Sequence, residues 1–288
     1  MMSPAEIERI MRGHSQGHSP ALLDAWLTHS TLSRFREWVP GPATGESLLV
    51  DIGCYQPAIG YYAAVGWRRV LGVAKEEGEG SVGATYRTEE GTDATIVIAD
   101  VETATLPIGD ASADAVLMME ILEHFGLDPM HALAEANRVL KPGGRLVLST
   151  PNAASFDSLR RLIRGAGPYT GLEFSGFSTN RHNRLYDANE LRTMVTAAGF
   201  EVDDCASRSY RKRRIDWRWW LFERLWTLSD TWTQIRHGGS IERGDYLFIR
   251  ARKRGPVVER FPAGLYFDAN KWPDWFRAIR NQVAAKTP

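Results

Sequence analysis

Apolar residues recur along the chain with two periods, and the alternation between them sets the expected architecture. Runs of strand length occupy residues 47–52, 69–73, 94–99, 113–119 and 145–150, and stretches with helical spacing fall at 59–65 and 129–140. Such alternation marks βαβ units, whose crossovers make neighbouring strands run parallel. Two later runs, 200–206 and 245–252, are expected to add an antiparallel hairpin at the sheet edge. The fold class is therefore α/β, a doubly wound, mostly parallel seven-stranded sheet with an antiparallel edge strand. Helix ends are marked as well. Asp128 and Pro129 read as N-cap and first helical residue, and Lys141-Pro142-Gly143-Gly144 as the stop. Asp187 and Glu190 read as a capping box for a helix at 188–198 that Gly199 closes. Two amphipathic stretches, 4–11 and 20–38, come first and end at Pro40-Gly41-Pro42. The expected organisation is cap helices over 1–42, a main domain over 43–253 with a Trp-rich helical insertion at 207–243, and a tail over 254–288.

Composition narrows the function classes. With 288 residues the chain can bury a full core. Thirty-five basic side chains balance 35 acidic ones, which counts against a dedicated nucleic-acid binder. Two cysteines, Cys54 and Cys205, give no disulfide framework and fit a reducing compartment. No apolar run approaches the roughly 20 residues of a membrane span, and the first residues lack the apolar centre of a leader. A cytoplasmic protein is expected.

The segment Leu48-Leu49-Val50-Asp51-Ile52-Gly53-Cys54 is an apolar strand ending in an acid and a glycine, ahead of the helical run near Ile59. In a doubly wound sheet this first turn borders the crevice where ligands bind, and glycine lets a ligand approach the backbone. Here the chain resembles the class I S-adenosylmethionine-dependent methyltransferases, whose first motif is an acid followed by a glycine-rich turn. Asp51 and Gly53 match it, whereas Tyr55 and Pro57 stand where the family usually has glycine. The resemblance runs from Leu48 to Lys253 through Ile96-Val97-Ile98-Ala99-Asp100, Leu106-Pro107, Ala113-Asp114-Ala115-Val116, Arg138-Val139-Leu140-Lys141-Pro142-Gly143-Gly144 and Thr150-Pro151-Asn152. It implies a Rossmann-like sheet and S-adenosylmethionine bound by Asp51, Gly53, Tyr55, Asp100, Val101 and Glu120. The acid with which the family grips the ribose is missing from Gly72-Val73-Ala74-Lys75-Glu76. Glu76 either serves from two residues later or is a solvated charge. Tyr55, Pro57 and Ala74 support an alternative, a noncatalytic interaction module on a degenerate methyltransferase fold.

Glu120, Glu123 and His124 follow the fourth of these seven strands at spacings that share one face if the segment is helical. The pattern is similar to that of ubiquinone-pathway O-methyltransferases and small-RNA 2′-O-methyltransferases, where such residues bind a divalent metal that orients vicinal hydroxyls. The RNA enzymes add a later histidine, and His182 has a similar place in the order of motifs. The resemblance implies a site of Glu120, Glu123, His124 and His182, whose mixed ligands suit Mn²⁺, Fe²⁺ or Zn²⁺ at least as well as Mg²⁺. Without a metal, Glu120 contacts the cofactor, Glu123 pairs locally, and His124 is a general base or packs. Oxygen is the expected methyl acceptor, since a histidine titrating near neutrality can deprotonate a hydroxyl. No Asn-Pro-Pro-Tyr-type motif of base-amino methylators follows that strand.

Arg208, Arg211, Lys212, Arg213 and Arg214 precede a Trp-rich run from Ile215 to Trp226. A basic, aromatic helix of this kind lies in a lipid headgroup region, here the inner membrane face beside a lipid-linked substrate, or else Trp219, Phe222 and Trp226 form a lid over the acceptor pocket. Residues 259–266 resemble tails of glycan-modifying family members, which implies a sugar hydroxyl as acceptor, a lipid-linked glycan if the helix meets a membrane. No nucleic-acid partner is expected, because the aromatics cluster on one helix and the chain is neutral. The oligomeric state is not legible.

Overall fold

The computed structural model describes residues 2–14, 24, 37–75, 85–168, 182–209, 217–237, 241–263 and 265–266. Its centre is strand β1 (Leu48–Ile52), which pairs in parallel with β2 (Arg69–Ala74) on one side and β5 (Ala113–Met119) on the other. β4 (Asp93–Ile98) continues beyond β2, and β6 (Leu140–Pro151) beyond β5. β8 (Tyr246–Lys253) runs antiparallel between β6 and β7 (Phe200–Arg208), so the last two strands form the expected hairpin. All seven expected strands are present. An eighth, β3 (Thr85–Arg87), pairs antiparallel with β4 and gives the order β3-β4-β2-β1-β5-β6-β8-β7. Three residues are too few to leave a periodic signature.

Alternation along the central strands builds two cores. Val50, Ile52, Val116 and Met118 face a cluster with α3 (Pro129–Val139) and α5 (Ala188–Ala197). Leu49, Ala115 and Leu117 face a second cluster with α1 (Pro4–Gly13) and α2 (Ala58–Val65). Helices on both faces explain why these strands read as continuous apolar runs. The caps fall where the sequence places them. Asp128 accepts from the Met130 amide at 2.9 Å, and Asp187 and Glu190 close a reciprocal capping box. α1 starts at a further box, Ser3 with Glu6, and buries Ile7 and Met11. Of the second cap stretch, only Asp24, Glu37 and Trp38 lie among the described residues, and buried Trp38 stacks on Phe248 at 4.5 Å. Lys141-Pro142-Gly143-Gly144 opens β6: Leu140 pairs with Ala113 and Arg145 with Ala115, so the four residues bulge from the ladder.

Two contacts hold the connections around the site. Gly199 follows α5 with φ +89°, and a Cβ there would lie 2.3 Å from the Pro256 carbonyl oxygen. Glu135 on α3 accepts from the Leu106 amide at 2.7 Å and from Arg138 at 2.8 Å, while Arg138 also donates to the Leu106 and Ile108 carbonyls, each at 3.0 Å. This clamp fixes the approach to β5. Burial pushes the Glu135 carboxyl up, but the bonds from Arg138 and Leu106 and the guanidinium charge outweigh it, leaving the group below its ordinary range.

A folded pKa that is depressed contributes stability above the ordinary carboxylate value and loses it as pH falls through the folded value. Glu135→Gln is therefore expected to cost about 2 kcal/mol near neutrality and to flatten the acid limb of the stability profile, as calorimetry across pH would measure. Gly199→Ala is expected to be more harmful, about 3 kcal/mol or more, because the obstacle is backbone and the conformation left-handed.

Candidate functional site

Sheet order reverses at β1, and in a doubly wound sheet that reversal places the ligand crevice at the carboxyl ends of β1 and β5. Gly53 makes the turn after β1 with φ +80°, and a Cβ there would lie 2.4 Å from Ile121 Cδ1. The amides of Gly53 and Cys54 both donate to the Val73 carbonyl, at 2.8 and 3.0 Å, which ties the turn to β2. Tyr55 is half-buried and packs with Cys54 and Ala74 against the second core. Pro57 occupies the N-cap of α2 without a side-chain bond. Asp51 is only 1% exposed beneath the turn, and the Tyr62 hydroxyl donates to its Oδ2 at 2.7 Å.

At the end of β4, Asp100 Oδ1 accepts from the Glu102 amide at 3.1 Å, while Val101 is buried and joins the core. Lys75, which follows β2, places its ammonium 3.1 Å from Asp100 Oδ2 and 3.5 Å from Glu102 Oε2. Burial lowers the lysine, but the bond to Asp100 and the two carboxylate charges prevail and hold it above its ordinary value. The expected Glu76 lies outside the described residues.

Glu120 follows β5 with φ +54°, a left-handed conformation costing about 1–2 kcal/mol for a residue with a side chain. Ser149 on β6 holds it: the Glu120 amide donates to the Ser149 carbonyl at 2.9 Å, and Ser149 Oγ donates to Glu120 Oε1 at 2.7 Å. Helical geometry therefore begins only at the short 3-10 turn Leu122–His124. Glu123 is 1% exposed and accepts from Thr150 Oγ1 at 3.0 Å. Its carbonyl accepts from the Asn183 amide at 2.6 Å, and Asn183 Nδ2 donates to the His124 carbonyl at 2.8 Å. These bonds stitch residues 182–184 to the 3-10 turn and set the His124 and His182 rings edge to face, 4.9 Å apart. Ligand atoms of Glu123, His124 and His182 all lie within 4.8 Å of one another. Three of the four expected residues thus converge. Glu120, whose left-handed backbone departs from helical spacing, is bonded to Ser149.

α6 (Trp217–His237) fills much of the insertion between β7 and β8. Trp219, Phe222 and Trp226 form one aromatic row, with centroid spacings of 5.3 and 5.2 Å. Arg164, just after α4 (Phe156–Ile163), lies over Trp219 at 4.9 Å. Arg243 pairs in bidentate fashion with Asp230 at 2.8 and 2.9 Å and donates to the Ala154 carbonyl at 2.9 Å, while Asn152 Nδ2 donates to the Glu242 and Gly244 carbonyls at 2.8 Å. The base of α6 is thereby fastened to the loop after β6, at the crevice edge. Arg208 lies 3.7 Å from Glu37, whereas Arg211, Lys212, Arg213 and Arg214 lie outside the described residues. Among the described residues no helix is long and apolar enough to cross a membrane. Part of the tail docks on α3, where Tyr266 donates to Asp128 at 2.6 Å.

Sequence reasoning missed Tyr62, Lys75, Ser149 and Asn183. Ser149, Lys75 and Asn183 adjoin motifs, but no spacing announces a hydroxyl or amide that reaches across the sheet.

Residues 31–205 match the family described as a methyltransferase domain. A protein of Mycolicibacterium smegmatis named probable S-adenosylmethionine-dependent methyltransferase is 36% identical over 101 residues, 35% of this chain and 34% of that protein. The 27-O-demethylrifamycin SV methyltransferase of Amycolatopsis mediterranei is 31% identical over 132 residues, 44% of this chain and 48% of that one. The ubiquinone biosynthesis O-methyltransferase of Cereibacter sphaeroides is 24% identical over 207 residues, 72% of this chain and 80% of that one. The chain thus matches about a third and about half of the first two relatives' lengths. A family match over more than half of the chain, on a sheet that reverses at a glycine turn after β1, means that the chain belongs to the methyltransferase domain family.

Proposed function

We propose that this chain transfers the methyl group of S-adenosylmethionine to a hydroxyl oxygen of a sugar, a lipid-linked glycan or another small acceptor, with Glu123, His124 and His182 holding a divalent cation beside it. The observation that carries the reading is the convergence of those three side chains within 4.8 Å at the crevice edge. Two of the three relatives above are named for O-methylation or as an O-methyltransferase, which supports oxygen.

The donor set fits the cofactor. Its sulfonium supplies an activated methyl group, so the chain's work is alignment and removal of the acceptor proton. Gly53 takes the left-handed turn at which the methionine end would lie and lets Ile121 close on it, and Asp51, gripped by Tyr62, sits beneath that turn. Tyr55 packs on the sheet, which favours an open turn over the noncatalytic reading. Glu120 offers a carboxylate to the ammonium, while Lys75 and Asp100 present a donor and an acceptor suited to ribose hydroxyls and the adenine amine. A cation held by Glu123, His124 and His182 would lower the pKa of the acceptor hydroxyl. Thr150 and Asn183 keep Glu123 and His124 oriented for that task.

Calorimetry is expected to show saturable binding of S-adenosylhomocysteine, weakened roughly 10-fold or more by Gly53→Ala, whose left-handed backbone costs about 1–2 kcal/mol. No binding to folded protein at millimolar ligand would hand the site to the noncatalytic alternative. With isotope-labelled cofactor, label is expected on acceptor oxygen, and methylation of amines alone would overturn the oxygen assignment. Exhaustive chelation is expected to abolish turnover and added Mn²⁺ to restore it. Turnover that survives chelation but is lost in His124→Ala, with cofactor binding intact, would make His124 a general base instead.

A further inference from the structure

α6 is apolar on two sides and, among the described residues, packs only one of them. Trp219, Phe222 and Trp226 turn inward toward Arg164 and Arg243. On the opposite side Trp217, Leu221, Leu225, Leu228, Trp232 and Ile235 recur at steps of four, four, three, four and three residues, which is one helical face. All six are exposed, from 44% at Leu221 to 80% at Ile235. Over 21 residues the stripe is about 30 Å long. Contiguous apolar surface of this kind marks a contact face rather than ordinary scatter.

Charge selects what the face meets. Arg218, Arg224 and Arg236 border the stripe, each lying over a tryptophan ring, at 5.5 Å from Trp217, 5.4 Å from Trp220 and 5.0 Å from Trp232. The helix has two acids, and neither is on this face: Asp230 is buried in its pair with Arg243, and Glu223 is half-buried. In the sequence, Arg211-Lys212-Arg213-Arg214 stands just ahead of the helix. One acid, Asp216, stands between that run and Trp217. Along the exposed face of the helix itself, tryptophans beside arginines match the boundary between acyl chains and anionic headgroups, where indole sits half in each phase and guanidinium meets phosphate. A bilayer also supplies apolar and anionic surface together along the whole 30 Å. α6 is not apolar enough to cross it, so the helix would lie in its plane.

We propose that the outward face of α6 docks on an anionic lipid bilayer. Because Arg243 and Asn152 fasten α6 to the loop after β6, docking holds the crevice edge of the sheet next to the lipid. The docking goes beyond the methyl-transfer reading and does not depend on it.

Flotation of the full chain with vesicles tests the assignment. Binding is expected to vesicles of phosphatidylcholine containing one third phosphatidylglycerol, with blue-shifted tryptophan emission, and to fall as salt rises. Pure phosphatidylcholine is expected to retain little. The double variant Arg224→Gln, Arg236→Gln is expected to bind roughly 30-fold more weakly, which corresponds to ~1 kcal/mol for each basic side chain lost. Leu228→Asp with Ile235→Asp is expected to abolish flotation. Both double variants should keep the parent's melting temperature and its affinity for S-adenosylhomocysteine, which separates docking from folding and from the crevice. Absence of flotation by the parent chain, or equal binding to neutral and anionic vesicles, would overturn the proposal. So would a dimer in light scattering that Leu228→Asp disperses, since the face would then belong to a second copy.

Discussion

Strand β1 pairs in parallel on both edges, and the site depends on that double pairing. Because β2 and β5 both flank it, the chain must leave β1 toward one side, build β2 and β4 there, and return across the sheet to start β5. The two crossovers depart in opposite directions, so among the described residues neither covers the carboxyl ends of β1 and β5. Gly53 and Glu120 sit on the two lips of that opening. Both take left-handed backbone conformations, glycine at little cost and glutamate at some.

The strain at Glu120 has structural consequences beyond its own residue. A helix continuing straight from β5 would have stacked Glu120, Glu123 and His124 on one face. The left-handed turn gives Glu120 instead to Ser149 and delays helical geometry to Leu122. Glu123 and His124 are then completed from a distant part of the chain, because Asn183 bonds to the carbonyls of both. Strain of this size persists only where neighbours over-determine it, and β6 does so through two bonds to the Glu120 amide and one to its carboxylate.

What was legible in the sequence was what is determined locally. Apolar runs with helices on both faces gave the seven strands, and Asp128, Asp187, Glu190 and Gly199 marked helix ends through bonds that span only a few residues. β3 was too short to register. The convergence of His182 with Glu123 and His124 was legible only through resemblance, since 58 residues separate His124 from His182 and the joining bonds come from backbone amides, which any sequence possesses, and from the Asn183 side chain, which no spacing announces. Lys75 illustrates the converse: the residue was plain to read, but its pairing with Asp100 and Glu102 follows from β2 and β4 being neighbours. The helical spacing of Glu120, Glu123 and His124 misled because no local signal reports a positive φ at a glutamate.

The placement of the insertion follows from the same topology. β7 ends at Arg208, opposite Tyr246 where β8 begins, and Tyr246 also pairs with Pro151 at the end of β6. The turn of this hairpin therefore emerges at the sheet edge that carries the crevice. A hairpin needs only a few residues to close, so the chain can lengthen there without disturbing a single ladder bond. An element as long as α6 thus emerges at the carboxyl-end edge of the sheet as a consequence of strand order. Its attachment through Asn152 and Arg243, rather than through the sheet, leaves its outer face to be shaped by whatever it meets.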